Sequence, residues 1–248
     1  MNRIKVAIHL HTHYSYDSNL APARLVQAAR RLGIDCLAIT DHNQIDGALE
    51  TQALGGVRVI VGEEISSADG HLIGLFLEER IPPGLSGEET CAAIHAQGGL
   101  ALAPHPFCIL CEDSLQHAVW HLIEHLDAVE VYNAQNPLPW EDARAARLAR
   151  RTGLPAFVGM DAHLRWLPLT YQRMDDFADA AGFLRALPQA DLFKSRVGLR
   201  YYALMGLRHV WDAVFSRALP GFGAKLRRRS RRQAPLSAKP VVRPSRPR

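Results

Sequence analysis

Short apolar runs that alternate with amphipathic stretches constrain the fold of this chain more than any other feature. The strand-like runs lie at residues 4–10, 35–40, 57–61, 72–77, 100–103, 128–132 and 155–158. Helical patterns lie between several of them, at residues 19–32, 88–97, 114–125 and 140–151. Such alternation, with short connections, is typical of a mostly parallel α/β architecture. Seven strands over about 160 residues favour a small β/α barrel over an open sheet.

The pattern changes after residue 161, where one more helix is predicted at 175–187. Residues 199–226 mix aromatic side chains with arginines and are amphipathic, whereas residues 227–248 are rich in Arg, Pro and Ser. A segment of the latter composition cannot bury enough apolar surface to fold alone. We therefore predict an enzymatic domain at 1–190, an amphipathic helical extension at 191–226 and a basic disordered tail at 227–248.

The net charge of +4 is unevenly distributed along the chain. Residues 225–248 contain ten Lys and Arg and no acid, so the remaining body has 19 basic and 25 acidic residues and a net charge of −6. A basic tail beside an amphipathic segment could attract an anionic membrane surface. It could equally bind nucleic-acid backbones, and the third alternative is a solvated tail without a partner.

Composition and cysteine usage narrow the class of protein. Hydrophobic residues make up 48% and charged residues 22% of the chain, as in ordinary globular proteins. We find neither an apolar run long enough for a membrane span nor a signal peptide, so we expect a cytoplasmic protein, peripheral at a membrane if the tail binds lipid. Cys108 and Cys111 form a lone C-x-x-C. Since a structural zinc site needs four ligands, we expect buried or loop thiols.

Residue types that bind metals occur at nearly every predicted strand end. The C-terminal strand ends of an α/β barrel meet on one face, where such enzymes place their sites. Side chains spread over about 150 positions would therefore meet in one pocket. The candidate metal ligands are His9, His11, Asp17, His42, Glu64, His71, His105, Asp161 and His163.

The spacing within two of these motifs has its own physical reason. In an extended segment residues i and i+2 point the same way, so His9 and His11 can present two imidazoles to one metal ion, and Asp161 with His163 repeats the arrangement. Imidazole with carboxylate suits Zn²⁺, Mn²⁺ or Fe²⁺ better than Ca²⁺ or Mg²⁺. Each motif alone is weak, but the joint pattern predicts a multinuclear metal site.

The motifs together resemble the PHP (polymerase and histidinol phosphatase) family of metal-dependent phosphoesterases over about residues 6–165. They read His-Leu-His-Thr-His-Tyr-Ser-Tyr-Asp-Ser at 9–18, Ile-Thr-Asp-His-Asn at 39–43, Gly-Glu-Glu-Ile-Ser at 62–66, His-Leu-Ile-Gly-Leu-Phe at 71–76, Pro-His-Pro-Phe at 104–107 and Gly-Met-Asp-Ala-His at 159–163. The resemblance implies a distorted seven-stranded β/α barrel.

Of the two neighbouring glutamates, Glu64 rather than Glu63 matches the family ligand, because it directly precedes Ile-Ser. The chain departs from the family at Ala7 and Met160, where Asp and Ser are usual.

The resemblance also implies three divalent metal ions. His9, His11, Glu64 and Asp161 would bind the first, Asp17, His42 and His163 the second, and His71 and His105 the third, with Glu64 shared. Mn, Zn and Fe are the candidate metals.

A cluster of this kind indicates phosphate-ester hydrolysis by a metal-bridging hydroxide. We expect a phosphomonoesterase that acts on a small phosphorylated metabolite or a nucleotide. Asp161 and His163 would act in catalysis as ligands, His13 is a candidate general acid, and Arg165 is a candidate phosphate-binding cation. A nuclease acting on nucleic-acid ends is the alternative, and a non-catalytic adaptor is a weaker one.

Three other histidines share one face of the helix predicted at 114–125, namely His117, His121 and His125. This face lies away from the strand ends, and we expect it to be solvated.

Overall fold

The computed structural model describes residues 3–111, 113–164, 168–198 and 201–203. In this part of the chain the strands are β1 Arg3–Leu10, β2 Cys36–His42, β3 Arg58–Ser67, β4 Gly70–Leu75, β5 Leu100–Ala103, β6 Ala128–Asn133, β7 Ala156–Ala162, β8 Tyr171–Asp175 and β9 Asp191–Phe193. The α-helices are α1 Pro22–Leu32, α2 Asp46–Leu54, α3 Gly87–Ala96, α4 Pro139–Thr152 and α5 Ala180–Ala186.

Strands β1 to β7 close into a barrel. Each pairs with the next strand in the sequence, and β7 pairs with β1 to complete the ring. All neighbours in the ring are parallel except β4, which is antiparallel to both β3 and β5. The first half of β1 also pairs with β8, which in turn pairs with β9. The predicted seven-stranded barrel is confirmed.

The reversed direction of β4 matters for the site. Because β4 runs against its neighbours, its first residues lie at the same barrel end as the last residues of β3. His71 is therefore opposite Ser66, close to the level of Glu64. All the other barrel strands end at this face, so His71 joins them from the beginning of its strand rather than from its end.

An apolar cluster drawn from every barrel strand fills the interior. Successive side chains of a strand point to opposite faces, so every second residue contributes to it. In β3, Ile60 faces inward, and the same alternation carries Glu64 inward at the functional end. In β7, Phe157 and Asp161 are related in the same way. The interior of the barrel is thus polar at the functional end and apolar over the rest of its length.

Further apolar clusters lie outside the barrel, under the helices. Helices α3 and α4 pack on strands β3 to β6, and α1 and α2 pack on β1 and β2. Helix α1 begins at Pro22 and ends at Gly33, whose φ of 65° suits the left-handed C-cap that glycine favours. Phe177 and Phe183 meet edge to face and join the interior cluster.

The helix predicted at 114–125 is wrong. Two short 3₁₀ turns, Ala118–Trp120 and Ile123–His125, replace it. Gln116 has a φ of 48°, which no right-handed helix accommodates, and its backbone N–H donates to the carbonyl of Pro106. The helix predicted at 175–187 is shorter, since residues up to Asp175 form β8 and α5 begins at Ala180. Helix α2 and strands β8 and β9 were not predicted.

The expectation of free thiols at the C-x-x-C is also wrong, because Cys108 and Cys111 form a disulfide. Their Cα atoms are 5.5 Å apart in the turn after β5, within the range that a disulfide spans. Cys36 and Cys91 are buried free thiols.

Among the described residues, no helix combines the length and apolar character that crossing a bilayer requires. The tail at 227–248 and nearly all of the amphipathic segment at 199–226 lie outside the described residues.

Helix α3 provides a test of the local structure. Ser86 and Glu89 form a capping box, in which each side chain accepts a hydrogen bond from the other residue's backbone N–H. We expect Ser86→Ala to lower the free energy of unfolding by about 1 kcal/mol in urea denaturation, because one helix N–H loses its acceptor. Glu88→Ala is the matched control and should have a smaller effect. Equal losses for both variants would contradict a specific cap.

Candidate metal centre

The carboxylate of Glu64 lies at the centre of the functional end of the barrel. Within the described residues, five histidines approach it, and Glu64 is almost fully buried. The nitrogen–oxygen distances are 3.3 Å for His9, 3.2 Å for His11, 3.4 Å for His42, 3.2 Å for His71 and 3.1 Å for His105. A single carboxylate therefore connects histidines from β1, β2, β4 and the turn after β5.

Two further carboxylates complete the cluster. Asp161 Oδ1 lies 3.5 Å from the Nε2 atoms of both His9 and His11, and 3.4 Å from Nδ1 of His163. Asp17 Oδ2 lies 2.9 Å from His163 Nε2 and 3.2 Å from His42 Nε2. Asp17 is half-buried, on the loop that follows β1. All nine predicted ligand residues are thus brought to one face.

Ligand atoms of these residues converge in overlapping groups, each within 4.8 Å. The groups are His11–Asp17–His42–His163, His9–His11–Asp161, His9–Glu64–His105 and His42–Glu64–His71. His42 therefore lies between Glu64 and Asp17, while His105 approaches Glu64 on the side of His9. The division into three ion sites that the resemblance implies remains a prediction, and the overlap is what closely spaced ions with shared ligands require.

A β-bulge brings His9 and His11 to the site. Ile4, Val6 and Ile8 face the barrel interior, so plain alternation would turn Leu10 inward and both histidines outward. The register with β2 and β7 shifts between Ala7 and Leu10, and His9 has a φ of 68°. Leu10 consequently packs outside, under α1. The i, i+2 spacing works through this bulge and not through a regular extended strand.

Asp161 and His105 also have left-handed backbones, with φ of 49° and 21°. Non-glycine residues in this region cost roughly 1–3 kcal/mol each and are concentrated at functional sites. His105 follows β5 and Asp161 lies near the end of β7, and both turn a polar side chain into the cluster. The strain at His9, His105 and Asp161 therefore accompanies the orientation of proposed ligands.

Glu130, which faces inward from the middle of β6, supports two of the histidines. Its Oε1 lies 3.1 Å from His9 Nδ1, and its Oε2 accepts the backbone N–H of His105. Asn133 donates both to Glu130, at 2.9 Å, and to Asp161, at 3.1 Å. A side chain at Gly159 would overlap the carboxylate of Glu130, so glycine is needed there. Carboxylates that bind the second nitrogen of a metal-binding histidine orient the ring and raise its basicity.

Asp41 organises the loop after β1 in a similar way. It accepts hydrogen bonds from the backbone and hydroxyl of Thr12, at 2.6 and 2.7 Å, and from Ser15 at 2.8 Å. The Ser15 hydroxyl in turn lies 3.1 Å from His11 Nδ1. The sequence motifs assign no role to Asp41 or Glu130. Glu130 faces inward in β6, two residues after Ala128, and this position is the signal that could have found it, whereas Asp41 shares the outward face of β2 with Leu37 and Ile39.

The remaining residues considered in the sequence analysis are not part of the described cluster. His13 is exposed, and its ring is 4.8 Å from that of Tyr14, away from the carboxylates of the cluster. Arg165 lies outside the described residues. Glu63 faces away from the site and accepts the backbone N–H of Ile81 at 2.8 Å. His121 and His125 are exposed on the 3₁₀ turns, as expected of a solvated face.

The pKa values of the clustered side chains are shifted because many ionisable groups are buried close together. Burial alone would lower the pKa of His11, but the nearby carboxylates of Asp161 and Glu64 outweigh it and raise the pKa to about 10. Burial would raise the pKa of Glu64, but His9, His42 and His71 hold it well below its usual range. The pKa of His42 is lowered, because burial outweighs the attraction of Glu64 and Asp17. The carboxylate of Glu64 is therefore charged at neutral pH.

These residues fit divalent metal ions on their own chemistry. The Nε2 atoms of His9, His11 and His163 are buried, and although carboxylate oxygens lie close to them, none of these contacts within the described residues has the geometry of a hydrogen bond. Buried polar atoms without partners are costly, and a metal ion would satisfy them. Imidazoles with carboxylates form the donor set of Zn²⁺, Mn²⁺ and Fe²⁺ sites.

Replacement of Glu130 tests the support of His9. Glu130→Gln keeps the shape but removes the charge beside His9 Nδ1, so we expect a loss of about 10- to 100-fold in metal affinity, measured by competition with a chelator. Glu124→Gln, on an exposed turn, is the matched control and should retain the affinity. Unchanged affinity in Glu130→Gln would contradict the support that we assign to this carboxylate.

The raised pKa of His11 predicts that metal binding releases protons. A group with a pKa of about 10 is protonated at neutral pH, whereas a metal ligand must be neutral. We therefore expect metal affinity to rise with pH above neutrality. Calorimetry in buffers of different ionisation enthalpy should show the release, and His11→Gln should release about one proton fewer. A binding heat that is independent of the buffer would contradict this assignment.

Comparison with known proteins agrees with the geometry. The family model described as "PHP domain" matches residues 7–181. An uncharacterized protein of Methanocaldococcus jannaschii is 44% identical over 144 residues, which cover 53% of this chain and 82% of that protein. An error-prone DNA polymerase of Mycobacterium tuberculosis is 33% identical over 130 residues, 47% of this chain and only 12% of the polymerase.

Solved structures share the fold. A two-domain protein of Bacteroides vulgatus, described as containing a predicted PHP-like metal-dependent phosphoesterase, superposes with a TM-score of 0.64 at 19% identity, over 78% of this chain and 65% of that one. PsfC of Pseudomonas syringae superposes with a TM-score of 0.63 at 17% identity, over 84% of this chain and 98% of its own. From the family match, the barrel and its cluster of histidines and carboxylates, the chain belongs to the PHP domain family.

Proposed function

We propose that this protein hydrolyses phosphomonoesters, either of small phosphorylated metabolites or of nucleotides, with divalent metal ions held by the nine clustered side chains. The observation that carries the proposal is the position of Glu64, whose carboxylate lies within 3.4 Å of five buried imidazoles. Membership of the PHP family supports a metal-dependent phosphoesterase.

Divalent ions held there would supply a hydroxide at neutral pH and neutralise the oxygens of a phosphate. The chain itself fixes the ligand geometry before substrate arrives. Glu130 and Ser15 hold the second nitrogens of His9 and His11, and Gln135 lies 2.8 Å from Nδ1 of His163. Rings fixed in this way need no reorganisation during the reaction, which is a large contribution to electrostatic catalysis.

Three ions of Mn, Zn or Fe remain our proposal for the metal content. Asp17 is the most accessible of the three carboxylates in the cluster, so we propose that substrate approaches from its side. His13 is exposed on the same loop and remains a candidate acid for the leaving group. We retain Arg165, two residues beyond His163, as a candidate for binding phosphate.

A nuclease acting on nucleic-acid ends is the second candidate. It is supported by similarity to DNA polymerases, although the match spans only a small part of those proteins. We also retain the proposal of three regions, 1–190, 191–226 and 227–248, with the basic tail as a binding segment for nucleic acid or an anionic membrane. A protein of this organisation would act in the cytoplasm, and at the membrane only through the tail.

A double substitution tests the proposed function. In His9→Ala/His11→Ala, the loss of two imidazoles should lower metal content and decrease phosphomonoesterase activity by about two orders of magnitude or more. The substrate panel should contain a chromogenic phosphomonoester, nucleoside monophosphates, a bis-phosphorylated nucleotide and short oligonucleotides. His121→Ala/His125→Ala removes two exposed histidines and is the matched control.

The panel also distinguishes the two candidates. Hydrolysis of monoesters alone would support the phosphomonoesterase, whereas release of nucleotides from oligonucleotides would support the nuclease. If the double variant retained full metal content and full activity, the proposed site would be wrong. A metal-loaded wild-type protein that is inactive on the whole panel would favour the non-catalytic adaptor.

A further inference from the structure

A groove outside the metal centre combines aromatic and cationic side chains. It lies between helix α4 and the turns that follow β5, and its volume is about 120 Å³. The side chains that line it, which we call the Arg–Trp groove, are Phe107, Trp120, Arg144, Arg147, Leu148 and Arg151. No acidic side chain is among these described lining residues, so the groove is strongly positive.

The sequence of α4 builds one side of the groove. Arg144, Arg147 and Arg151 are spaced by three and four residues, so they share one face of the helix, and Trp140 precedes them by one turn. The acids of the first turn are directed elsewhere. Glu141 accepts the backbone N–H of Ile109 at 2.9 Å, and Asp142 pairs with Arg196. The exposed charge of this face is therefore positive only.

The arginines are held by aromatic rings and not by carboxylates. The Arg144 guanidinium lies 4.4 Å from the Phe107 ring centroid and 5.9 Å from that of Trp140, and Arg151 lies 5.5 Å from Trp120. None of the three groove arginines forms an ion pair with any other described residue. A guanidinium stacked on a ring keeps its N–H donors at its edge, where they are available for an anion.

The two tryptophans remain accessible despite their size. Trp120 is 43% exposed and Trp140 is 42% exposed. Exposed large aromatic surfaces beside arginines are unusual in a solvated helix face, since both residue types are enriched at binding sites. Stacking on a flat ring and pairing with a phosphate are the two interactions that such a surface offers.

We propose that the Arg–Trp groove binds single-stranded nucleic acid, with phosphates on the arginines and bases stacked on Trp120 in the groove and on Trp140, which borders it beside Arg144. Positive grooves interleaved with aromatic rings are the usual means of binding single strands without sequence preference. From Trp140 to Arg151 the helix axis spans about 16 Å. A stacked strand, at about 3.4 Å per nucleotide, would place about five nucleotides along it.

The groove is connected to the metal centre through Phe107. Phe107 is two positions after His105 in the sequence, so their Cα atoms are at most about 7 Å apart. A strand lying in the groove would thus pass close to the cluster. The binding that we propose does not depend on hydrolysis by that cluster, and it goes beyond the proposed phosphomonoesterase activity.

Binding by the full chain tests the proposal. A fluorescent oligothymidine of about 10 nucleotides would be titrated in a chelating buffer, so that hydrolysis cannot contribute. The groove variant is Arg144→Gln/Arg147→Gln/Arg151→Gln, and the matched control is Arg24→Gln/Arg31→Gln/Arg185→Gln, which removes three exposed arginines elsewhere. Both variants keep the basic tail and have the same net charge. Circular dichroism would verify that both are folded.

We expect the groove variant to bind the oligonucleotide at least about tenfold more weakly, and the control to change by less than about twofold. The slope of log affinity against log salt should fall by about two in the groove variant, as expected for the loss of three phosphate contacts. Trp120→Leu and Trp140→Leu should each weaken binding by about tenfold, because a base loses its stacking surface. Photo-crosslinking of a halogenated oligonucleotide should label the peptides that contain these tryptophans.

Equal weakening in the groove variant and the control would overturn the proposal, because binding would then follow net charge and the tail. Crosslinks found outside the groove would overturn it as well. So would a groove variant that loses binding to vesicles of phosphatidylserine but keeps its affinity for the oligonucleotide, since the partner would then be a lipid surface. The single variant Arg147→Glu, at an exposed position, should by itself weaken oligonucleotide binding and provides a test if the triple variant is unstable.

Discussion

The carboxylate of Glu64 is the group on which the functional end of the barrel depends. A buried charge costs several kcal/mol unless it is paired, and in the described structure five imidazoles approach this one within 3.4 Å. Those imidazoles crowd one another, with the rings of His11 and His163 centred 4.2 Å apart. Their raised and lowered pKa values express the same conflict. Divalent ions would resolve it, because they replace protons between the carboxylates and the rings.

Three features of the backbone orient the ligand side chains toward the site. Regular alternation carries His42, Glu64, His71 and Asp161 inward above an apolar interior. A bulge in β1 reverses the alternation for His9 and His11, and a left-handed residue turns His105 inward beyond the end of β5. The remaining polar residues, Glu130 and Asp41 above all, then fix ring orientations. The site is therefore a property of the strand ends and of a few strained residues.

The seven strands of the barrel could be predicted from apolar runs, and the grouping of the ligand residues from their positions at strand ends. The direction of β4 could not, because alternation is the same in parallel and antiparallel strands. The β1 bulge could not be predicted either, since Val6, Ile8 and Leu10 alternate in the sequence as in a regular strand. Helix α2 has almost no amphipathic pattern and was missed, whereas the apolar spacing at 114–125 suggested a helix that Gln116 prevents. The disulfide depends on a turn geometry that two cysteines alone do not reveal.

The proposed function requires that Glu64 and its neighbours hold several divalent ions at once. Anomalous diffraction from crystals grown with Mn²⁺ or Zn²⁺ tests it most directly, because each ion gives a peak at its own position. We predict more than one peak among the nine side chains, at least one of them in contact with Glu64, and the loss of that peak in Glu64→Gln but not in Glu63→Gln. Metal-saturated crystals without a peak beside Glu64 would contradict the account.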